Sequence, residues 1–261
     1  MKISIITATY NSAKTVRDTL ESVLSQTFKD YEYIIKDGGS KDGTLDIVRE
    51  YEPKFEGRMR IISERDKGIY DAMNKGIEAS TGDVVGILNS DDFYYSNDVF
   101  EKINDAFERG ADAVCGNLVF VDSEDTDKIV RTWKGSPYRS FKKGWHPAHP
   151  TFYVKKEFYD KYGLYDTNFA VSADFELMLR FIEKYQIKIV YLNFNFIRMR
   201  EGGESTGSIK RIIKGNKNVM RAFKKNGIPV SIFYPVIRLV PKFINKIQNR
   251  TKSTKSPNKE S

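Results

Sequence analysis

Val84-Val85-Gly86-Ile87-Leu88-Asn89-Ser90-Asp91-Asp92 is an apolar run that ends abruptly in two adjacent carboxylates. It reads as a buried parallel strand, Val84 to Leu88, delivering acids to its C-terminal edge, where open α/β sheets bind their ligands. Adjacent aspartates there offer hard oxygen ligands to Mg²⁺ or Mn²⁺, and such an ion grips a diphosphate. Asp91 and Asp92 are therefore the expected metal seat. The plainer alternative is a polar turn, Asn89 to Asp92, that caps the helix following Ser96.

Working outward, the chain before this stretch alternates strand and helix. Ile3 to Ile6 is a first strand, and a loop Thr7-Ala8-Thr9-Tyr10-Asn11 leads to a helix with Val16, Leu20, Val23 and Leu24 on one face. Tyr33 to Lys36 is a second strand, closed by Asp37-Gly38-Gly39-Ser40-Lys41-Asp42-Gly43 before a helix carrying Leu45 and Val48. Met59 to Ser63 is a third, followed by a helix that keeps Ile69, Ala72, Met73 and Ile77 at helical spacing. This rhythm predicts an α/β fold with a mainly parallel sheet covered on both faces. After a helix from about Asp98 to Arg109 the pattern changes. Ala113 to Gly116, Leu118 to Asp122 and Lys128 to Trp133 read as strands joined by short turns, so the second half is mixed. An irregular loop, 134–150, holds Trp145, His146 and His149. Thr151 to Val154 is extended, and Asp174 begins a helix with Phe175, Met178, Leu179 and Ile182 inward. Strands near Ile187 to Leu192 and Phe194 to Met199 precede a glycine-rich turn, Glu201 to Gly207.

With 261 residues, 40% of them hydrophobic, the chain can fill a real core. The single cysteine, Cys115, lies in an apolar segment without CxxC or Cys/His metal spacing and reads as a buried thiol in a reducing compartment. The N-terminus enters a strand at once, with no leader pattern. The formal charge of +8 is unevenly placed: residues 208–261 hold 14 lysines and arginines against the single acid Glu260, leaving the first 207 residues net acidic. The expected organisation is a catalytic domain over 1–207, a basic amphipathic helical extension over 208–250 and a disordered tail over 251–261. Pro235, Arg238, Pro241 and Lys242 interrupt the apolar run too often for a bilayer span, which needs about 20 mainly apolar residues. An interfacial segment drawn to anionic lipid fits better.

Neither GxGxxG nor GxxxxGK[ST] occurs, which argues against dehydrogenases and P-loop enzymes. Instead acids stand at two strand ends. Asp37 can accept hydrogen bonds from a nucleobase imide or a ribose hydroxyl, and Asp91 and Asp92 can hold a cation. Tyr10 can stack on a base or simply pack. A hydroxyl acceptor must lose its proton as it attacks, a task for a carboxylate base, and a departing diphosphate gathers charge that a divalent ion neutralises. His149 is a further metal or phosphate candidate at the loop edge, and Arg198 and Arg200 are candidates for diphosphate contact.

Ile5-Ile6-Thr7-Ala8-Thr9-Tyr10-Asn11, Lys36-Asp37-Gly38-Gly39-Ser40-Lys41-Asp42-Gly43-Thr44, Gly82-Asp83 and Leu88-Asn89-Ser90-Asp91-Asp92 together resemble, in order and spacing, family 2 glycosyltransferases of the GT-A fold. Ser172-Ala173-Asp174-Phe175-Glu176-Leu177 is similar to the segment that supplies the family's general base, and the resemblance fades after about residue 207. It implies inverting transfer of a sugar from a nucleotide-diphosphate donor, with UDP favoured over GDP. By position, Thr7, Ala8, Tyr10 and Asp37 would hold the base, Asp91 with Asp92 would serve the ribose and Mn²⁺ or Mg²⁺, Asn89 would belong to the donor site, and Asp174 would deprotonate the acceptor. Two departures stand out. Asn89 replaces an aspartate common among relatives, and Gly68-Ile69-Tyr70-Asp71-Ala72-Met73-Asn74 lacks their arginine, leaving Asp71 as a donor contact or a solvated helix face. The expected acceptor is a glycan or lipid-linked glycan of surface polysaccharide synthesis, reached from the cytoplasm by peripheral docking on an anionic inner membrane face, with no nucleic-acid partner. The alternatives are a sugar nucleotidyltransferase and a noncatalytic protein binding anionic surfaces or nucleic acid through its tail.

Overall fold

A computed structural model describes residues 1–202 and 209–237, and the remainder of the expected extension and tail, 238–261, lies outside the described residues. The first half follows the alternation read above. β1 (Ile3–Thr9), β2 (Tyr31–Asp37), β3 (Met59–Ser63) and β4 (Val84–Ile87) are parallel neighbours, interleaved with α1 (Val16–Leu24), α2 (Thr44–Tyr51) and α3 (Ile69–Ala79). β1 and β4 are buried on both faces, which is why they read as continuous apolar runs.

After β4 come β5 (Phe93–Tyr94), α4 (Val99–Glu108), β6 (Ala113–Val121), β7 (Ile129–Trp133), β8 (Tyr153–Lys155), α5 (Lys156–Tyr162), α6 (Ala173–Met178), β9 (Ile189–Arg200), α7 (Ile209–Lys225) and α8 (Tyr234–Ile237). The sheet order is β3-β2-β1-β4-β8-β6-β9-β5, with β7 on β6. β8 is antiparallel to both β4 and β6, so the second half is mixed as expected. Tyr153 of β8 explains the glycine in the central strand: a Cβ on Gly86 would come within 2.0 Å of its ring.

Two strand boundaries differ from the sequence reading. The pairs Ala113–Gly116 with Leu118–Asp122, and Ile187–Leu192 with Phe194–Met199, are each one strand. β9 bulges against β6, moving from Tyr191 to Asn195 while β6 moves only from Cys115 to Asn117. Asn117 and Asn193 look like turn residues in sequence, but at this bulge Tyr191 and Gly135 donate to the Asn117 side chain. β5 is too short to leave a pattern. Ile69, expected on the buried face of α3, is exposed at the helix start.

Two cores flank the sheet. One joins β1, β2 and β4 to α1 and α4 through Ile3, Ile5, Val16, Leu20 and Phe100. The other joins the opposite face to α3, α6 and α7 through Met73, Ile77, Phe175, Leu177 and Phe223. Phe223, in the extension expected to be interfacial, is thus interior, as are Val219 and Ala222 of the same helix. Among the described residues no helix is long and apolar enough to cross a membrane.

Candidate active site

Three loops converge at the carboxyl edge of β1, β2 and β4. Asn11 and Asp42 staple the first two, since the Lys41 amide donates to Asn11 Oδ1 at 2.9 Å and the Ala13 amide to Asp42 Oδ2 at 3.0 Å. The acidic loop after β4 is bound to the first of them. The Ser12 and Ser90 hydroxyls lie 2.8 Å apart, Thr15 Oγ1 donates to the Ser90 carbonyl at 2.9 Å, and Thr19 Oγ1 to the Asp92 carbonyl at 2.7 Å. The first turn of α1 therefore sets the position of Asp91 and Asp92.

Those two carboxyls differ. Asp91 keeps some surface, whereas Asp92 is fully buried, with Asn89 Nδ2 donating to its Oδ2 at 2.8 Å and Oδ1 lacking any partner. Burial, with Asp91 beside it, pushes the Asp92 carboxyl up to about 8, and burial also raises Asp91. An orphaned carboxylate oxygen behind an accessible one is a donor set that suits a hard divalent cation. Among the described residues no group of three or more His, Cys, Asp or Glu could hold a metal, so an ion here would need phosphate and water to complete its shell. Of the two arginine candidates, Arg200 flanks the acids: it donates to the Asp91 carbonyl at 3.0 Å and pairs closely with Asp18. Arg198 turns to the Thr126 carbonyl and Asp127.

At the nucleobase end, Tyr10 is 62% exposed, Ala8 keeps some surface, and the Thr7 hydroxyl meets that of Tyr33 at 3.0 Å inside the core. Asp37 is fully buried and closes its own turn. Its carboxylate accepts the Gly39 and Ser40 amides, the Ser40 hydroxyl at 2.5 Å and the Ser63 hydroxyl at 2.9 Å.

Asp174 is held by a side chain of α3. Asp174 sits in the first turn of α6. The Tyr70 hydroxyl donates to its Oδ1 at 3.2 Å, across 104 residues of chain. Burial, then the Asp174 charge, raises the Tyr70 phenol, which keeps it a donor. Tyr70 stacks on Tyr165, whose hydroxyl shares a 2.7 Å hydrogen bond with His149 Nε2. Asn74 clamps the Tyr165 backbone from both sides at 2.9 Å. Sequence reading missed Tyr70, Asn74 and Tyr165; the one signal was a pair of polar-tipped residues in the segment already singled out for its missing arginine. Asp71 points elsewhere, accepting the Lys67 amide and facing Lys75. Glu176, two residues after Asp174, is wholly engaged by Arg180, Lys225 and Asn226. His146 packs edge-on against Trp133 and Phe175.

The model described as glycosyl transferase family 2 matches residues 4–180. A PGL/p-HBAD biosynthesis glycosyltransferase of Mycobacterium bovis is 25% identical over 253 residues, covering 93% of this chain and 92% of its own. Among solved structures, S. aureus TarS 1-349 in complex with UDP superposes with a TM-score of 0.64 at 19% identity, over 100% of this chain and 77% of that one. The mannosyltransferase PcManGT from Pyrobaculum calidifontis, in complex with GDP-Man and Mn²⁺, gives 0.65 at 17% identity, over 98% and 76%. At these identities the structures support the GT-A fold alone.

Proposed function

Because the chain belongs to glycosyl transferase family 2, we propose that it moves a sugar from a nucleoside-diphosphate donor, a UDP-sugar foremost, to an acceptor hydroxyl with inversion. Membership sets aside the nucleotidyltransferase and the noncatalytic surface binder. The observation that carries the reading is a pair of separate acidic functions: the Asp91–Asp92 pair after β4 with its orphaned oxygen, and Asp174 at the start of α6, held by the Tyr70 hydroxyl.

In this reading Thr7, Ala8, Tyr10 and the Asp37 turn shape the nucleobase site, Asn89 belongs to the donor site, and Asp91 with Asp92 would serve the ribose and hold Mn²⁺ or Mg²⁺. The ion supplies charge neutralisation for the departing diphosphate. Asp174 takes the proton of the acceptor hydroxyl as its oxygen attacks the anomeric carbon from the face opposite the diphosphate. The new C–O bond forms as the bond to the diphosphate oxygen breaks, without a covalent enzyme intermediate. Replacing Asp174 by Asn should leave nucleotide affinity unchanged and lower transfer about 10²-fold or more, read as nucleoside diphosphate released from donor. Normal transfer by that variant would remove Asp174 from the role.

The proposed place of action is an anionic membrane surface on the cytoplasmic side, with a lipid-linked glycan as acceptor. Support comes from Ile232, Phe233 and Val236, all exposed beside α8, next to the basic outer face of α7 with Lys217, Arg221 and Lys224. The name of the mycobacterial relative, which places it in PGL/p-HBAD biosynthesis, accords with this.

A further inference from the structure

The acid expected to read the nucleobase, Asp37, has little left to offer a ligand. A carboxylate has about four lone-pair positions, and the Gly39 and Ser40 amides with the Ser40 and Ser63 hydroxyls engage both oxygens inside the turn. The next residue, Gly38, has no side chain, but the space beside it is filled from elsewhere. A Cβ built on Gly38 would fall 2.5 Å from Asp66 Oδ2 and 3.3 Å from its Cγ, and 3.4 Å from Cδ2 of the Tyr10 ring. Asp66, in the loop after β3, thus places its carboxylate where a side chain on residue 38 would begin, alongside an aromatic ring that is 62% exposed.

The placement is built rather than incidental. Asp66 Oδ1 accepts the Gly68 amide at 3.0 Å, which orients the carboxylate, and among the described residues Oδ2 accepts no hydrogen bond. The loop carrying it is anchored by Lys36, a fully buried lysine whose Nζ donates to the Glu64 carbonyl at 2.7 Å and to the Asp37 carbonyl at 3.0 Å. The Glu64 amide adds a bond to the Asp37 carbonyl at 3.1 Å. The Tyr10 loop also touches the acidic loop through Ser12 and Ser90, so base end and diphosphate end belong to one continuous rim.

We propose that Asp66, with Tyr10 as stacking face and Gly38 as the gap that admits it, is the residue by which this chain selects its nucleobase, and that it selects bases whose edge ring nitrogen carries a hydrogen. The inference rests on the nucleotide-donor reading above. A carboxylate oxygen accepts from uracil N3–H or from the N1–H and N2–H pair of guanine. It meets a lone pair at cytosine N3 and adenine N1, which it repels. Asp37 holds the turn, and Lys36 is a positioning residue for the loop.

Titration calorimetry of the full chain in Mn²⁺ with UDP, GDP, CDP and ADP tests this. The wild type binds UDP or GDP at least about tenfold more tightly than CDP and ADP, the size expected for one hydrogen bond to a charged group. Asp66→Ala weakens the preferred nucleotide about tenfold and leaves CDP little changed, with an unaltered melting temperature. Asp66→Asn, whose amide can also donate, raises CDP relative to UDP. A selectivity ratio that survives Asp66→Ala overturns this inference and leaves the nucleotide-donor reading standing. A wild type that binds none of the four overturns both.

Discussion

Asp91, Asp92 and Asp174 were visible as single residues because each breaks an apolar pattern at the end or start of an element, where a charge needs a reason. What surrounds them was not visible. Tyr70 reaches Asp174 across 104 positions and His149 reaches Tyr165 across 16, and no local periodicity encodes either contact. Asp66 was hidden for the same reason: it lies in a loop, and its meaning depends on the missing side chain of Gly38 in the turn after β2. Cys115 is the buried thiol its apolar neighbours imply, and burial pushes it up to about 12. His149 carries a pH signature. Burial lowers its pKa below the ordinary 6.5, with Asp174 opposing, so the fold binds fewer protons there than the unfolded chain. That contribution to stability is complete above about pH 6.5 and is lost as pH falls toward and through the folded value. Melting curves from pH 7.5 to 5 should therefore show the wild type losing more than His149→Gln; parallel losses would mean that the ring titrates as it does in water.

The parallel half of the sheet was legible as elements because β1 and β4 are buried on both faces and β1 to β4 are separated by amphipathic helices. The mixed half was legible only as a change of rhythm. A bulge that sets Tyr191 and Asn195 against Cys115 and Asn117 shifts the alternation of β9, and one long strand then resembles two. At this scale the least replaceable link is Glu176, fully buried and shared by α6, α7 and the wide helical turn Leu179–Lys184. It accepts from Arg180, Lys225 and Asn226, while Arg180 also caps the carbonyls of Gly163 and Leu164. Removing one partner of a buried ion pair costs about 3–5 kcal/mol. Glu176→Gln should lose roughly that much in urea unfolding, with the donor affinity of the folded protein unchanged. A loss below about 1 kcal/mol would make the cluster no stronger than a surface pair.

For the whole molecule, the basic C-terminal part read as a separable amphipathic extension, yet α7 contributes Val219, Ala222 and Phe223 to the second core. Cutting the chain at Gly207 would expose that core, so the membrane proposal calls for substitutions on the outer face. Full-length protein should sediment with anionic vesicles in a salt-sensitive manner, each lysine or arginine near the surface contributing about 1 kcal/mol. Phe233→Ser together with Ile232→Ser should weaken that binding without changing the melting temperature. Indifference of the wild type to such vesicles at low salt would remove the docking idea while leaving the transferase reading intact. That reading is tested most directly by nucleoside diphosphate released from a panel of UDP- and GDP-sugars, measured with Mn²⁺ and again after chelation by EDTA. The account predicts consumption of at least one donor with Mn²⁺ and its loss on chelation. Undiminished release in EDTA would contradict the metal seat at Asp91 and Asp92, and failure to bind or consume any donor with Mn²⁺ would contradict the account as a whole.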